Sequence, residues 1–124
     1  MPSPLVPSEL SEHLALASWL RRVVPDAKWF HPPNGEKRSK STATKLRAMG
    51  VSAGVPDIVM LEPRRIVVEL KKLGVNKPSQ EQAEWLAAFE RAGFATATCS
   101  GWRSAVEFFQ RHGVGAAASS GVGQ

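Results

Sequence analysis

The sequence is poor in cysteine and has no long hydrophobic run. Its one cysteine, Cys99, excludes an internal disulfide framework and a cysteine-rich zinc site. No apolar stretch approaches the roughly 20 residues that a helix needs to cross a bilayer. The first four residues (Met-Pro-Ser-Pro) lack the basic segment and apolar core of a signal peptide. We therefore expect a soluble, cytoplasmic protein that does not contact membranes.

Positive charge is in excess and is unevenly distributed. The 124 residues include 16 Lys and Arg against 11 Asp and Glu, a net charge of +5. This excess favours an anionic partner without identifying it. Much of it lies in residues 36–47, where Glu36 stands among Lys37, Arg38, Lys40, Lys45 and Arg47. Basic residues interleaved with serine and threonine suit phosphate contacts, although such a run is also typical of an ordinary solvated surface.

The chain divides into one domain and two short ends. Residues 1–8, with three prolines, predict an extended N-terminal arm. Residues 113–124 are rich in glycine, alanine and serine, which predicts a flexible low-complexity tail. Residues 9–112 are long enough for a single apolar core.

Periodicity and end signals predict four helices and four strands in this domain. We expect helices from Ser8 or Ser11 to about 24, at 42–49, from 79 to about 92, and at 102–112. We expect strands at 29–31, 57–61, 65–71 and 94–99, with the middle two joined as a hairpin. This order suits an α/β or α+β fold with one mixed sheet.

Charged residues interrupt the two central strands. Glu69 and Lys71 are two residues apart and share one face of their strand. If the hairpin forms, Asp57 approaches Glu69, and two carboxylates at about 4 Å repel by roughly 4 kcal/mol at an effective dielectric constant of 20. A divalent cation such as Mg²⁺ or Mn²⁺ would reverse that repulsion. The alternative is a surface salt bridge between Glu69 and a lysine.

Two helices and one strand end carry further candidates. Gln82 is the polar member of an apolar helical stripe, so it lies either at the same site or at the rim of the core. Glu9 and Glu12 share the apolar stripe of the first helix, and each either adds a carboxylate or simply favours the helix dipole. His31 either contacts phosphate, acts as a general base, or is structural. His13 fits no pattern and receives no role.

Four short stretches follow one another in a distinctive order. They are His31-Pro32-Pro33-Asn34-Gly35, residues 50–57 ending in Gly54-Val55-Pro56-Asp57, Val68-Glu69-Leu70-Lys71, and Ser79-x-x-Gln82-x-x-Trp85-Leu86. In this order they resemble the VRR-NUC branch of the PD-(D/E)XK nuclease superfamily, in its stand-alone viral or prophage form. The resemblance covers residues 9–112. It implies a restriction-endonuclease-like αβββαβ core with a central mixed sheet flanked by helices, in which the 42–49 helix is an insertion.

The resemblance also implies a function and a set of site residues. It implies an Mg²⁺- or Mn²⁺-dependent endonuclease that cleaves branched DNA such as four-way (Holliday) junctions, acting as a homodimer in a bacterial or phage-infected cell. The implied metal ligands are Asp57, Glu69, the Leu70 carbonyl and Glu12, with Glu9 as the alternative to Glu12. The implied catalytic set comprises Asp57, Glu69, Glu12, the catalytic lysine Lys71, and Gln82.

The basic segment and the resemblance together predict that DNA is contacted by His31, Asn34, Arg38, Lys40, Lys45, Arg47 and Lys72.

Two other classes of protein remain compatible with the sequence. One is a nucleic-acid-binding module that is catalytically silent or needs a partner to cleave. The other is an interaction protein in which the charged residues form a satisfied network.

Overall fold

The computed structural model describes residues 6–33 and 39–115. The helices are α1 (Glu9–Val23), α2 (Lys40–Ala48), α3 (Gln80–Arg91) and α4 (Trp102–Arg111). The strands are β1 (Lys28–Phe30), β2 (Ile58–Glu62), β3 (Ile66–Lys71) and β4 (Ala95–Ser100). All eight predicted elements are confirmed, with ends within two residues of the expected ones.

The four strands form one mixed sheet in the order β1-β2-β3-β4. The first two pairings are antiparallel, and β3 pairs with β4 in parallel. Residues 66–70 of β3 are all buried, which is the pattern of a central strand covered on both faces. The predicted hairpin and α+β fold are therefore confirmed, with α2 inserted between β1 and β2.

Residues of β3 alternate between the two faces of the sheet. Ile66, Val68 and Leu70 join the larger apolar cluster with residues of α1 and α4. Val67 packs on the opposite face with Leu86 of α3. The sheet thus lies between α1 and α4 on one side and α3 on the other, and Glu69 shares the α3 face with Val67.

Serine side chains cap the N-termini of α1, α2 and α3. Ser8 caps α1, since its Oγ accepts a hydrogen bond from the Ser11 backbone N–H at 3.0 Å. This resolves the choice between Ser8 and Ser11. Ser79 and Gln82 form a capping box at the start of α3. Both caps lie at the start of a helix that carries candidate site residues.

The packed domain continues slightly past its predicted end. Val114 is fully buried, and its N–H donates to the Phe109 carbonyl at 2.9 Å. Most of the predicted arm and tail lies in residues 1–5 and 116–124, outside the described part of the chain. Among the described helices, none has both the length and the hydropathy needed to span a membrane.

Candidate active site

A cleft of about 680 Å³ opens at one end of the sheet, where β1 ends, β2 begins and β3 ends. It brings together polar side chains from α1, the end of β1, the loop before β2, β3 and α3. These are Glu9, His13, Arg21, His31, Asp57, Glu69 and Gln82. The cleft therefore unites five of the side chains singled out in the sequence, Asp57, Glu69, Gln82, His31 and Glu9, with Leu70 also in its wall.

Asp57 is held against the end of β3. Its Oδ2 accepts a hydrogen bond from the Leu70 backbone N–H at 2.8 Å. The N–H and C=O of one strand residue point to the same side, so the Leu70 carbonyl also faces Asp57. Continuing the β2–β3 register places Leu70 opposite Pro56, which has no N–H to donate. Pro56 therefore cannot donate to this carbonyl, which is directed to the side of β3 on which Asp57 lies.

Glu69 is a buried carboxylate that is only half satisfied. Its side chain accepts from Gln82 Nε2 at 2.9 Å through Oε2, and the Lys71 ammonium lies 3.9 Å from the same oxygen. The other oxygen, Oε1, is buried and has no hydrogen-bond partner among the described residues. Leaving a buried polar group unpaired costs about 1–3 kcal/mol, and more for a charged one. The Glu69 carboxylate therefore needs either a proton or a cation.

Burial, followed by the charge of the Asp57 carboxylate, raises the pKa of Glu69 from 4.5 to about 8. The Lys71 ammonium lowers this pKa without cancelling the effect. Metal-free Glu69 thus carries a proton at neutral pH. A divalent cation between the carboxylates would supply positive charge in place of that proton. The orphaned oxygen, the second carboxylate and the nearby carbonyl form a donor set that fits a hard cation such as Mg²⁺ or Mn²⁺.

Gln82 aligns Glu69 through the start of α3. The Gln82 side-chain Oε1 accepts a hydrogen bond from the Ser79 backbone N–H at 2.8 Å, and the Gln82 backbone N–H donates to Ser79 Oγ at 3.1 Å. The capping box therefore fixes the amide, and the remaining Nε2 donor points at Glu69. Of the two interpretations of Gln82 from sequence, the one that places it at the site matches this geometry.

The glycine in the loop before Asp57 permits a close approach to α3. Gly54 has φ = +84°, and a Cβ at this position would lie 2.8 Å from the Glu81 Cβ. Any larger residue would strain the backbone and push the loop away from α3. Gly54 thus keeps Asp57 and Gln82 on the same side of the cleft.

The two glutamates of α1 have different surroundings. Glu12 is buried, and its Oε1 accepts from the Trp102 N–H at 2.8 Å. It is not among the residues that line the cleft, whereas Glu9 is, and the charge of Glu9 helps to raise the pKa of Glu69. The ligand position that the resemblance gives to Glu12 therefore fits Glu9 better. The reason is the rotation of α1, which turns Glu9 toward the cleft and Glu12 toward α4.

Two histidines meet beside Asp57. His31 lies directly after β1, and its Nδ1–H donates to the Asp57 carbonyl at 2.7 Å. The His13 ring lies 4.4 Å from the His31 ring, centre to centre. Burial, followed by the charge of His31, lowers the pKa of His13. Sequence reasoning missed His13, although it follows Glu9 by four residues and so shares its helix face.

The expected DNA-contacting residues occupy other surfaces. Lys40, Lys45 and Arg47 are exposed on α2, which has no buried residue, and Lys72 is exposed just after β3. None of these lines the cleft. Asn34 and Arg38 fall outside the described residues. Contact of the basic residues with phosphate remains a prediction.

Comparison with known proteins gives a match in structure. No model of a known protein family matches the sequence, and no curated protein sequence does either. One solved structure, described as a "VRR_NUC domain protein", superimposes with a TM-score of 0.70 at 21% sequence identity. The match covers 86% of this chain and 88% of the other. The chain therefore has the fold of a VRR_NUC domain protein.

Proposed function

We propose that the protein is a VRR-NUC nuclease that hydrolyses DNA phosphodiester bonds with the help of Mg²⁺ or Mn²⁺. The observation that carries the proposal is the buried Glu69 carboxylate, which has an unpaired oxygen and lines an open cleft together with Asp57. A purely structural acid at this depth would be expected to have both oxygens satisfied. An acid that binds a cation keeps one oxygen for that cation.

In this proposal Asp57, Glu69 and the Leu70 carbonyl hold the metal ion, and Glu9 supplies a further carboxylate from α1. A bound divalent ion lowers the pKa of a coordinated water and offsets charge on the phosphate. The protein contributes fixed ligands, since hydrogen bonds from Leu70 and Gln82 already orient the two main carboxylates. Such outer partners typically affect metal affinity by about 10–100-fold.

Lys71 has the role of stabilising negative charge. It shares a strand face with Glu69, and its ammonium is 3.9 Å from the Glu69 carboxylate. Its side chain is 14% exposed, so it can reach a phosphate at the edge of the site. A preorganised cation aimed at the charge that develops during phosphodiester hydrolysis is typically worth a factor of about 10²–10³ in rate.

We further propose branched DNA, with the four-way junction favoured, as the substrate and a homodimer as the active form. The net charge of +5 and the exposed basic residues of α2 support an anionic, polymeric substrate. The junction preference and the dimer rest on the sequence resemblance alone. A dimer would supply the two sites that paired cleavage of a junction requires.

Cleavage assays on a panel of DNA structures test the proposal. Purified protein is incubated with labelled single-stranded, duplex, flap and four-way substrates in Mg²⁺, Mn²⁺ or EDTA. We expect metal-dependent cleavage that Asp57→Asn and Lys71→Ala abolish, and that the matched surface variants Glu62→Gln and Lys77→Ala retain. Folding is checked by circular dichroism.

Two results would contradict the proposal. One is wild-type cleavage by Asp57→Asn or Lys71→Ala. The other is binding of DNA without cleavage of any substrate in either metal, which would instead support a catalytically silent binding module. Size measurement of the protein alone and on the junction tests the dimer separately.

A further inference from the structure

A second group of potential metal ligands lies at the mouth of the same cleft. His13 comes from α1, His31 follows β1, and Asp57 precedes β2. One ligand atom from each of the three residues lies within 4.8 Å of the other two. Three separate elements thus converge on one point with two nitrogens and one oxygen. The carboxylate donor set described above contains no nitrogen, so this group differs from it in chemistry although both include Asp57.

The spacing of the three ligand atoms is close to that required by one ion. Bonds from Zn²⁺ to histidine nitrogen and carboxylate oxygen are about 2.0–2.2 Å long, so two ligands of one tetrahedral ion lie about 3.3–3.6 Å apart. Ligand atoms at the 4.8 Å limit would need to approach one another by about 1.2–1.5 Å. His13 is only half-buried, so a small rotation of its side chain can supply much of this movement while His31 keeps its hydrogen bond to the Asp57 carbonyl.

His31 is held in the tautomer that metal binding requires. A carbonyl oxygen only accepts, so the 2.7 Å contact with the Asp57 carbonyl requires the proton on Nδ1. Neutral His31 therefore carries its lone pair on Nε2. Histidines that bind metals commonly donate their other ring nitrogen to a backbone carbonyl in this way, which fixes the orientation of the ring.

The charges around the two rings permit a cation. Arg21 faces the same cleft and opposes a bound cation, but its guanidinium lies over the Trp29 ring, 5.5 Å from the ring centre. Glu9 and Asp57 supply two carboxylates to the cleft against this one cation. The local balance of side-chain charge is therefore negative when both acids are ionised.

We propose that His13, His31 and Asp57 form a transition-metal site that binds Zn²⁺ and does not bind Mg²⁺. Imidazole suits zinc and related transition metals, whereas Mg²⁺ prefers oxygen ligands. The three protein ligands leave at least one coordination position open, as in zinc sites that also hold water or substrate. Zn²⁺ binding can be measured separately from DNA cleavage, because binding needs only the folded chain.

Metal titration of the full-length protein without DNA tests this proposal. Zn²⁺ affinity is measured by competition with a chromophoric chelator, and Co²⁺ serves as a spectroscopic probe of nitrogen ligation. We expect one Zn²⁺ per chain, not displaced by excess Mg²⁺. His13→Gln and His31→Gln should each weaken Zn²⁺ binding by at least about 10–100-fold. This is the loss typical of removing a residue that only orients a metal ligand, and removing the ligand itself should cost no less.

Matched variants separate this site from nonspecific binding. His112→Gln removes an exposed histidine that lies outside the cleft, and Glu62→Gln removes an exposed carboxylate that also lies outside it. Both should keep wild-type affinity for Zn²⁺. Unchanged affinity in His31→Gln, or equal loss in His112→Gln, would overturn the proposal. His31 is exposed, so His31→Gln remains informative even if His13→Gln unfolds.

Discussion

Glu12 and Glu69 are both 3% exposed, yet their carboxylates differ in how far neighbouring groups compensate them. Glu12 accepts the Trp102 N–H at the start of α4, where the N-cap residue Gly101 offers no side chain. The positive end of the helix dipole also favours its charge. Glu69 has one unpaired buried oxygen, and burial with the Asp57 charge raises its pKa to about 8. Burial of an acid therefore does not mark a site, whereas an unmet need for positive charge does.

The largest expected effect separates the two glutamates by cleavage activity. Glu69→Gln should reduce metal-dependent DNA cleavage by at least about 100-fold, because it removes a ligand charge that acts on the phosphate through the metal. Glu12→Gln keeps an oxygen acceptor for the Trp102 N–H and should cleave at the wild-type rate. Single-turnover rates on the best substrate of the panel measure both. Loss of cleavage in Glu12→Gln with folding intact would return to Glu12 the role that the resemblance implies.

The next effect concerns stability, and here the larger effect is expected at Glu12. Glu12→Ala leaves the Trp102 N–H without its acceptor and removes the only side-chain cap recorded for α4 among the described residues. We expect a loss of about 1–3 kcal/mol in the free energy of unfolding. Urea denaturation measures it, with the exposed Glu107→Ala on the same helix as control. An equal loss in both variants would show that the Trp102 contact is not stabilising.

A pH-dependent effect tests the unmet charge of Glu69 directly. In the metal-free protein, Glu69 keeps its proton up to about pH 8, whereas the unfolded chain releases it near pH 4.5. Between these values the folded state binds more protons, so its stability falls as pH rises and then levels off. Glu69→Gln has no such proton to lose. In EDTA we expect its Tm to exceed that of wild type at pH 9 and to match it near pH 4.5.

The exposed Glu90→Gln variant provides the control for that comparison, since it should follow wild type at every pH. Adding Mg²⁺ or Mn²⁺ at pH 9 should raise the Tm of wild type and reduce the advantage of Glu69→Gln, because the ion binds only the folded state. A constant difference between the two proteins from pH 4.5 to pH 9 would refute the raised pKa of Glu69.

The elements and the core of the site were predictable because their signals are local. Ser79 with Gln82 marks the start of α3 within a few residues. Alternation along β3 likewise assigns Val67 and Val68 to opposite faces. The approach of Asp57 to the end of β3 followed from the hairpin. These inferences required only one pairing of neighbouring strands.

The surroundings of α1 were not predictable, because they depend on contacts between distant parts of the chain. The partner of Glu12 lies ninety residues away, at Trp102. With Glu12 turned toward α4 by this contact, the rotation of α1 directs Glu9 and His13 into the cleft. Helical periodicity placed Glu9 and Glu12 on a common stripe, and the angle between them was too small for sequence to separate their roles.

The smallest expected effect contrasts the cleft with the exposed surface of α2. On duplex DNA, each neutralised phosphate contributes about 0.9 to the magnitude of the slope of log K against log salt. If Lys45 and Arg47 contact phosphates, replacing both with alanine should therefore reduce that magnitude by about 1.8. The double variant Arg91→Ala, Arg111→Ala changes charge equally on other helices and should leave the slope unchanged. Binding is measured in EDTA, so cleavage does not interfere. An equal change of slope in both double variants would mean that α2 contributes only to the overall charge. A change confined to the α2 variant would show that DNA phosphates contact this helix, although it does not line the cleft.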